Sequence, residues 1–273
     1  MYEKIILITR KTRLEGLIEQ FNTRAQAKFY LEHSGGDFAF YEREHEQYYG
    51  AVAQLKKSLK GLLKLQTIER GYLPNFMFAK TDIVVTIGID GTVVNAAKYL
   101  DGQPLVAVNP DPKHIAGILL PFHTGNAPTA IRQLLANAAT MRAISMAEAK
   151  LSDGQSLLAF NDFFVGQQTH ISARYKIQFG DQVERHSSSG ILVSTGVGAT
   201  GWLSSVFNMA NGVIRGFAGD KTPIAQPAMD WETERLMFAV REPYVSKTTG
   251  ANIVCGTITP QQPLIIESNM AEG

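Results

Sequence analysis

The residues best suited to chemistry in this chain lie in two glycine-bearing segments. The first, Gly88-Ile89-Asp90-Gly91-Thr92, directly follows a β-branched run that reads as a strand. Open α/β sheets bind ligands at the carboxyl ends of their strands. Gly88 and Gly91 allow the backbone to come close to a phosphate, and Thr92 is suited to cap the following helix, whose N-terminus favours anions. Asp90 would repel a phosphate, so its use there is to accept a proton or to hold a metal ion. The competing reading is a plain β-turn, in which Asp-Gly is a common dipeptide.

The second segment, Gly196-Val197-Gly198-Ala199-Thr200-Gly201, matches G-x-G-x-x-G between an apolar run (190–195) and a helical stretch (202–210). That is the local context of a dinucleotide-binding fingerprint, and Asp220 stands near the offset of its acidic residue. No clear βαβ unit surrounds it, however. The alternative is a looser contact with phosphate or nucleotide, for which Ser194, Thr195 and Thr200 supply hydroxyls beside backbone N–H groups. Asn161 and Asp162 interrupt the apolar run AFNDFFVG. A polar pair there either ends a strand or lines a cleft.

Other chemistries lack their residues. The six histidines have no metal-ligand spacing, so no metal site is predicted. There is no Walker lysine and no protein-kinase loop set. One cysteine, Cys255, excludes an internal disulfide, and its apolar neighbours suggest a small buried residue. A net charge of +1 leaves no electrostatic footprint for nucleic acid or an anionic membrane. The apolar run at 5–8 is too short for a signal peptide or a spanning helix, so a reducing cytoplasm is expected.

The elements that must position these residues follow from periodicity. Lys4–Thr9 and Asp82–Ile87 read as buried strands, and 104–108 as a third. Thr12 with Glu15 forms a capping box, and Thr23 with Gln26 repeats it before a helix carrying Ala27, Tyr30 and Leu31. Gly35 and Gly36 end that helix. A third spans about 44–63, with the charges at 43–46 on a solvated face. Further helical pattern runs from after Thr92 to Leu100 and over 129–138. Strands alternating with helices predict an open, mostly parallel sheet. After residue 138 the texture changes to short β-branched and aromatic runs at 157–165, 171–179, 190–195, 236–240 and 253–258. Turns at Asp153-Gly154 and Gly180-Asp181 separate them, as in an all-β sandwich. Two domains are expected: α/β over 1–138 and β-rich over 139–273.

Taken in order, these segments resemble the NAD kinase family, in its mitochondrial-type branch with bacterial relatives. Gly88–Thr92 stands for the family's G-G-D-G-T. Asn109, in VAVNPDP (106–112) followed by GILLP (117–121), is similar to its G-V-N-x-D-P…G-x-L segment. Asn161-Asp162 stands for Asn-Glu. Ser188-Ser189-Gly190 and the stretch from Leu192 to Trp202 resemble its S-S-G…T-G-T-G-S-x-A-W, and FAVREP (238–243) its F-S-V-R-E-P. Three departures stand out: Ile89 in place of a glycine, Asp162 in place of Glu, and a chain that stops at Gly273 before the family's terminal Asp-Gly strand.

The resemblance implies an α/β domain followed by a β-sandwich, with substrates in the cleft between. It implies γ-phosphoryl transfer from ATP to the adenosine ribose 2′-hydroxyl of NAD. Asp90 would take the hydroxyl proton. Gly88, Gly91, Thr92, Asn109, Ser194, Thr195, Gly198 and Thr200 would contact nucleotide, and Asn161 and Asp162 the ribose. A divalent cation, magnesium, would accompany the triphosphate, and the assembled form would be a homodimer. Three other readings compete: a same-scaffold kinase acting on a sugar or lipid, a dinucleotide-binding protein without turnover, and an oxidoreductase using 196–201.

Overall fold

The computed structural model describes residues 1–219 and 222–270. The chain divides into two compact units after Met141. Asp220 lies outside the described residues.

The first unit is built on a five-stranded parallel sheet. Its strands are β1 (Lys4–Thr9), β2 (Lys64–Glu69), β3 (Asp82–Ile87), β4 (Leu105–Asn109) and β5 (Phe122–His123), in the order β2-β1-β3-β4-β5. The helices are α1 (Arg13–Phe21), α2 (Arg24–His33), α3 (Phe38–Leu59), α4 (Asp90–Ala97) and α5 (Ala127–Leu135). Alternate residues of β1 point to opposite faces. Ile5 and Leu7 pack with Tyr48, Val52, Leu55 and Leu59 of α3 and Ile131 of α5. Ile6 and Ile8 pack with Val84, Leu73 and Ala96 on the other face. A sheet covered on both faces needs uninterrupted apolar strands, which is why KIILIT and DIVVTI read as strands at once.

Both capping signatures are used. Thr12 accepts from Glu15 N while the Glu15 carboxylate accepts from Thr12 N at 2.7 Å, and Thr23 accepts from Gln26 N. Elsewhere the structure corrects the pattern. Helix α3 begins at Phe38, whose ring is buried with Leu14 and Ala27, rather than near residue 44. Of the charges at 43–46, Arg43 and Glu46 are exposed as expected, but Glu44 turns inward and accepts from buried Arg10 at 3.1 Å. Strand β2 has no counterpart in the sequence reading. It is an edge strand, and Lys64, Gln66 and Thr67 face solvent, so its polarity hid it.

Among the described residues, the second unit holds three antiparallel sheets and one α-helix. Strands β6 (Ala147–Lys150) and β7 (Ser156–Ala159) form a small ribbon. The larger sheet combines β8 (Asp162–Val165), β11 (Gly190–Ser194), β12 (Leu236–Arg241) and β13 (Cys255–Ile258) in the order β13-β12-β11-β8. The other orders β9 (Ala173–Phe179), β10 (Gln182–Ser188) and β14 (Leu264–Ser268) as β10-β9-β14. Tyr175 and Ile177 of one sheet pack on Ile191, Val193, Phe238 and Val240 of the other, which makes a sandwich. Helix α6 (Trp202–Ala218) covers part of the outer face, with Leu203 on Leu192, Met237 and Ala239.

Two expectations fail here for the same reason. Cys255 is exposed, not buried. It pairs with Ala239, so it points away from the sandwich interior, on an edge strand. The run 157–165 is two strands, broken at Phe160-Asn161, because its halves pair with different partners, β6 and β11.

Tyr48 ties the first unit together where it matters for the site. Its hydroxyl accepts from Arg10 N at 2.8 Å and donates to Ile87 O at 3.2 Å, joining the carboxyl ends of β1 and β3. Burial pushes this phenol above its usual pKa. Tyr48→Phe should cost about 1–3 kcal/mol, because it leaves two buried backbone groups unpaired. Urea unfolding of the variant checks this; an unchanged midpoint would show that the bridge contributes nothing.

Candidate functional site

Asp90 occupies the first position of α4, immediately beyond β3. Its carboxylate accepts from Leu119 N at 3.0 Å and from Ile118 N at 3.3 Å. Those donors are presented by a loop that Asn109 shapes from within. The Asn109 amide donates to Ile115 O, and its carbonyl oxygen accepts from Asp111 N, both at 2.9 Å. Gly117 turns the loop with φ +58, and a Cβ there would also stand 2.9 Å from the Asn109 amide nitrogen. Asn109 therefore reaches Asp90 only through the loop it shapes.

The remaining residues of the first motif divide by burial. Gly88 is enclosed: a Cβ there would collide with Thr92 Oγ1 and come within 3.3 Å of Arg10 Cδ. Gly91 is exposed, with nothing within 4 Å of an added Cβ. Thr92 does not cap the helix. The N-cap is Ile89, which supplies no side-chain bond, and Thr92 is fully buried inside the first turn. The Ile89 side chain is 41% exposed, so the residue standing where the family has glycine projects into solvent beside the motif rather than into the core.

In the second unit, Asn161, Asp162, Ser194, Thr195 and Gly198 meet at one corner of the larger sheet. Asp162 pairs with Ser194 across β8 and β11. Thr195 N donates to Asn161 O at 2.9 Å, and its hydroxyl donates to Phe160 O at 2.7 Å and accepts from Gly198 N at 3.2 Å. Gly198 admits no side chain, since a Cβ would lie 2.6 Å from Asp162 Oδ1, 2.7 Å from Ser194 Oγ and closer still to Asn161 O. Ser194 and Thr195 are fully buried and their hydroxyls are spent within the turn, so they shape it rather than face outward. Thr200, at the end of the turn, is exposed. Asn161 Oδ1 and Asp162 Oδ1 are buried without a hydrogen-bond partner. Burial raises the Asp162 carboxyl above the usual carboxylate range, against a smaller opposing effect of the Ser194 hydroxyl.

This geometry removes the oxidoreductase reading of 196–201. The glycine turn follows β11, but the chain returns through α6 to β12, which pairs antiparallel with β11. A dinucleotide-binding βαβ unit needs a parallel return. Gly196 has a packing reason of its own, since a Cβ there would collide with Asp230 O and approach Trp231. Sequence reasoning also missed residues. Ile118 and Leu119 act through backbone N–H groups, which carry no side-chain signature. Arg10 lies 78 positions before Gly88, and only the pairing of β1 with β3 brings them together.

The fold is similar to that of two solved NAD kinases. An NAD kinase from Archaeoglobus fulgidus, solved in complex with ATP, matches 97% of this chain and 80% of its own, with a TM-score of 0.56 at 14% identity. Yeast NADH kinase, solved with NADH, matches 99% of this chain and 81% of its own, with a TM-score of 0.51 at 12% identity. In sequence, the chain is similar to an NAD kinase of Chlorobaculum tepidum, 28% identical over 127 residues. That match spans 45% of this chain and 44% of the relative. No protein-family model matches the chain. The resemblance carried by the motifs is thus found again in both the fold and the sequence comparison.

The environment of Asp162 has a measurable consequence. Its folded-state pKa lies above the unfolded value, so its contribution to stability is largest below that value and declines as pH rises through the folded pKa. Asp162→Asn should therefore be more stable than the parent near pH 7, with the gain fading toward pH ~4 and below. Thermal midpoints across that range test it, and a variant less stable at every pH would contradict the assignment.

Proposed function

We propose that this chain is an ATP-dependent NAD kinase, transferring the γ-phosphoryl group of ATP to the adenosine ribose 2′-hydroxyl of NAD to give NADP and ADP. The observation that carries the reading is Asp90: a carboxylate at the carboxyl end of β3, at the N-terminus of α4, oriented by two backbone N–H groups. Each carboxylate oxygen accepts one of those bonds and keeps a lone pair for a substrate hydroxyl. As the ribose oxygen bonds to the γ-phosphorus and the bond to the β-phosphate oxygen breaks, Asp90 takes the hydroxyl proton.

The other assignments belong to the same reading. Gly91, exposed and unhindered, lets phosphate approach the first turn of α4, while Gly88, Thr92 and Asn109 hold that turn and its loop in place. Asn161 and Asp162, whose unpartnered oxygens match ribose hydroxyl donors, bind the acceptor. Thr200 contacts nucleotide on a turn that Ser194, Thr195 and Gly198 shape. Among the described residues no group of three or more His, Cys, Asp and Glu could hold a metal. A divalent cation would arrive on the triphosphate, with no protein cage required. No described helix is long and apolar enough to cross a membrane. A cytoplasmic site of action fits a single exposed cysteine.

The exposed apolar side chains of Met209, Val213 and Phe217 along α6 support assembly as a homodimer. A monomeric mass by light scattering at micromolar concentration would remove that part of the proposal.

Asp90→Asn keeps the shape and removes the basic oxygen. Turnover of NAD to NADP with ATP should fall about 10²–10⁴-fold, with dinucleotide binding retained. Unchanged turnover would remove Asp90 from the mechanism. Failure of the parent protein to form NADP, alongside phosphorylation of a sugar, would overturn the acceptor.

A further inference from the structure

We propose that the loop between β1 and α1 is an anion site, in which Lys11 and Arg13 grip a polyphosphate lying over the carboxyl ends of β1 and β3. That this ligand is the ATP triphosphate rests on the kinase reading; the site itself does not.

Strand order points there first. The chain runs from β1 to β2 on one side and from β3 to β4 on the other, so the crevice of this sheet opens between β1 and β3. Ligands of open α/β sheets bind at such a switch point. One wall is the Gly88–Thr92 turn and the other is Arg10-Lys11-Thr12-Arg13. The walls touch, with Arg10 Cδ 3.3 Å from where a Gly88 Cβ would stand and Thr92 Oγ1 on the same point.

Buried polar atoms left over at this spot point to a ligand. Arg10 is 7% exposed and Thr92 fully buried, yet Arg10 Nε and Thr92 Oγ1 have no hydrogen-bond partner. The Arg10 guanidinium is fixed by Lys11 O at 3.0 Å, Glu44 at 3.1 Å and the Tyr48 ring at 5.0 Å. Its charge is thereby held beside the first turn of α4, whose N-cap Ile89 offers no side-chain acceptor. Arg10 is a positioning residue for this field.

Lys11 and Arg13 are the exposed part. Their side chains are 51% and 63% exposed and pair with Glu19 at 2.6 Å and Glu44 at 3.6 Å. The Lys11–Glu19 pair is exposed on both sides and therefore weak, whereas Glu44 is only 22% exposed and its Oε2 is buried without a hydrogen-bond partner, so a ligand must compete with Glu44 for Arg13, whose fork suits phosphate oxygens. Neighbouring acids are engaged elsewhere: Glu15 by Thr12 and Tyr49, and Asp90 by Ile118 and Leu119.

The test is calorimetric titration with inorganic tripolyphosphate, without metal or NAD. The double variant Lys11→Ala/Arg13→Ala should bind at least about tenfold more weakly, with its unliganded melting temperature unchanged. Lys11→Arg should keep parental affinity. Lys56→Ala/Lys57→Ala, in the last turn of α3, removes equal charge and should also keep it. No binding by the parent at millimolar tripolyphosphate, or equal loss in the two double variants, would overturn the site. Tripolyphosphate binding that needs Lys11 and Arg13, in a protein that forms no NADP, would keep the site and remove the kinase. NADP formation with an unmoved KM for ATP in the Lys11/Arg13 variant would do the reverse.

Discussion

The close approach at Gly88 governs the first unit. With no side chain at that position, the backbone leaving β3 packs directly on Thr92 and beside Arg10. The first turn of α4 can therefore start at once, with Asp90 as its opening residue. Any larger residue would push the turn off the sheet and carry Asp90 away from the N–H groups of Ile118 and Leu119. Tyr48 supports the same junction from below, by bridging the ends of β1 and β3.

The second unit meets the same problem with a different device. Gly198 sits against Asn161 O, Asp162 Oδ1 and Ser194 Oγ, so a turn that looks like a flexible glycine loop is sterically filled. Its rigidity comes from buried hydroxyls, with Thr195 serving at once as donor to Phe160 O and acceptor for Gly198 N. Asp162 is held there with an oxygen lacking a partner and with its carboxyl pushed up by burial. Carboxylates kept in surroundings that disfavour their charge are a feature of functional sites more than of cores.

The shared fold at 12–14% identity is physically reasonable. A parallel sheet needs apolar strands on both faces, and many β-branched sequences meet that need. What has to be kept more strictly is the set of places where backbone meets backbone or buried polar groups meet. Those are the segments in which the motif resemblance is concentrated.

The sequence by itself determined the elements whose patterns are local. Strands β1 and β3 were legible to the residue because burial on both faces demands an unbroken apolar run. The capping box at Thr12 and the N-cap at Thr23 were legible because donor and acceptor lie three residues apart. The position of Asp90 beyond a buried strand was legible for the same reason. Strands β2 and β10 were not, since each is a sheet edge that tolerates polar residues and so lacks the signal. Only the tertiary structure decided that Thr92, Ser194 and Thr195 are buried, that Cys255 faces outward, and that Asp90 is held by backbone from residues 118 and 119. Strand order and register set those facts by joining segments far apart in the chain, and no local period or turn signal carries that information.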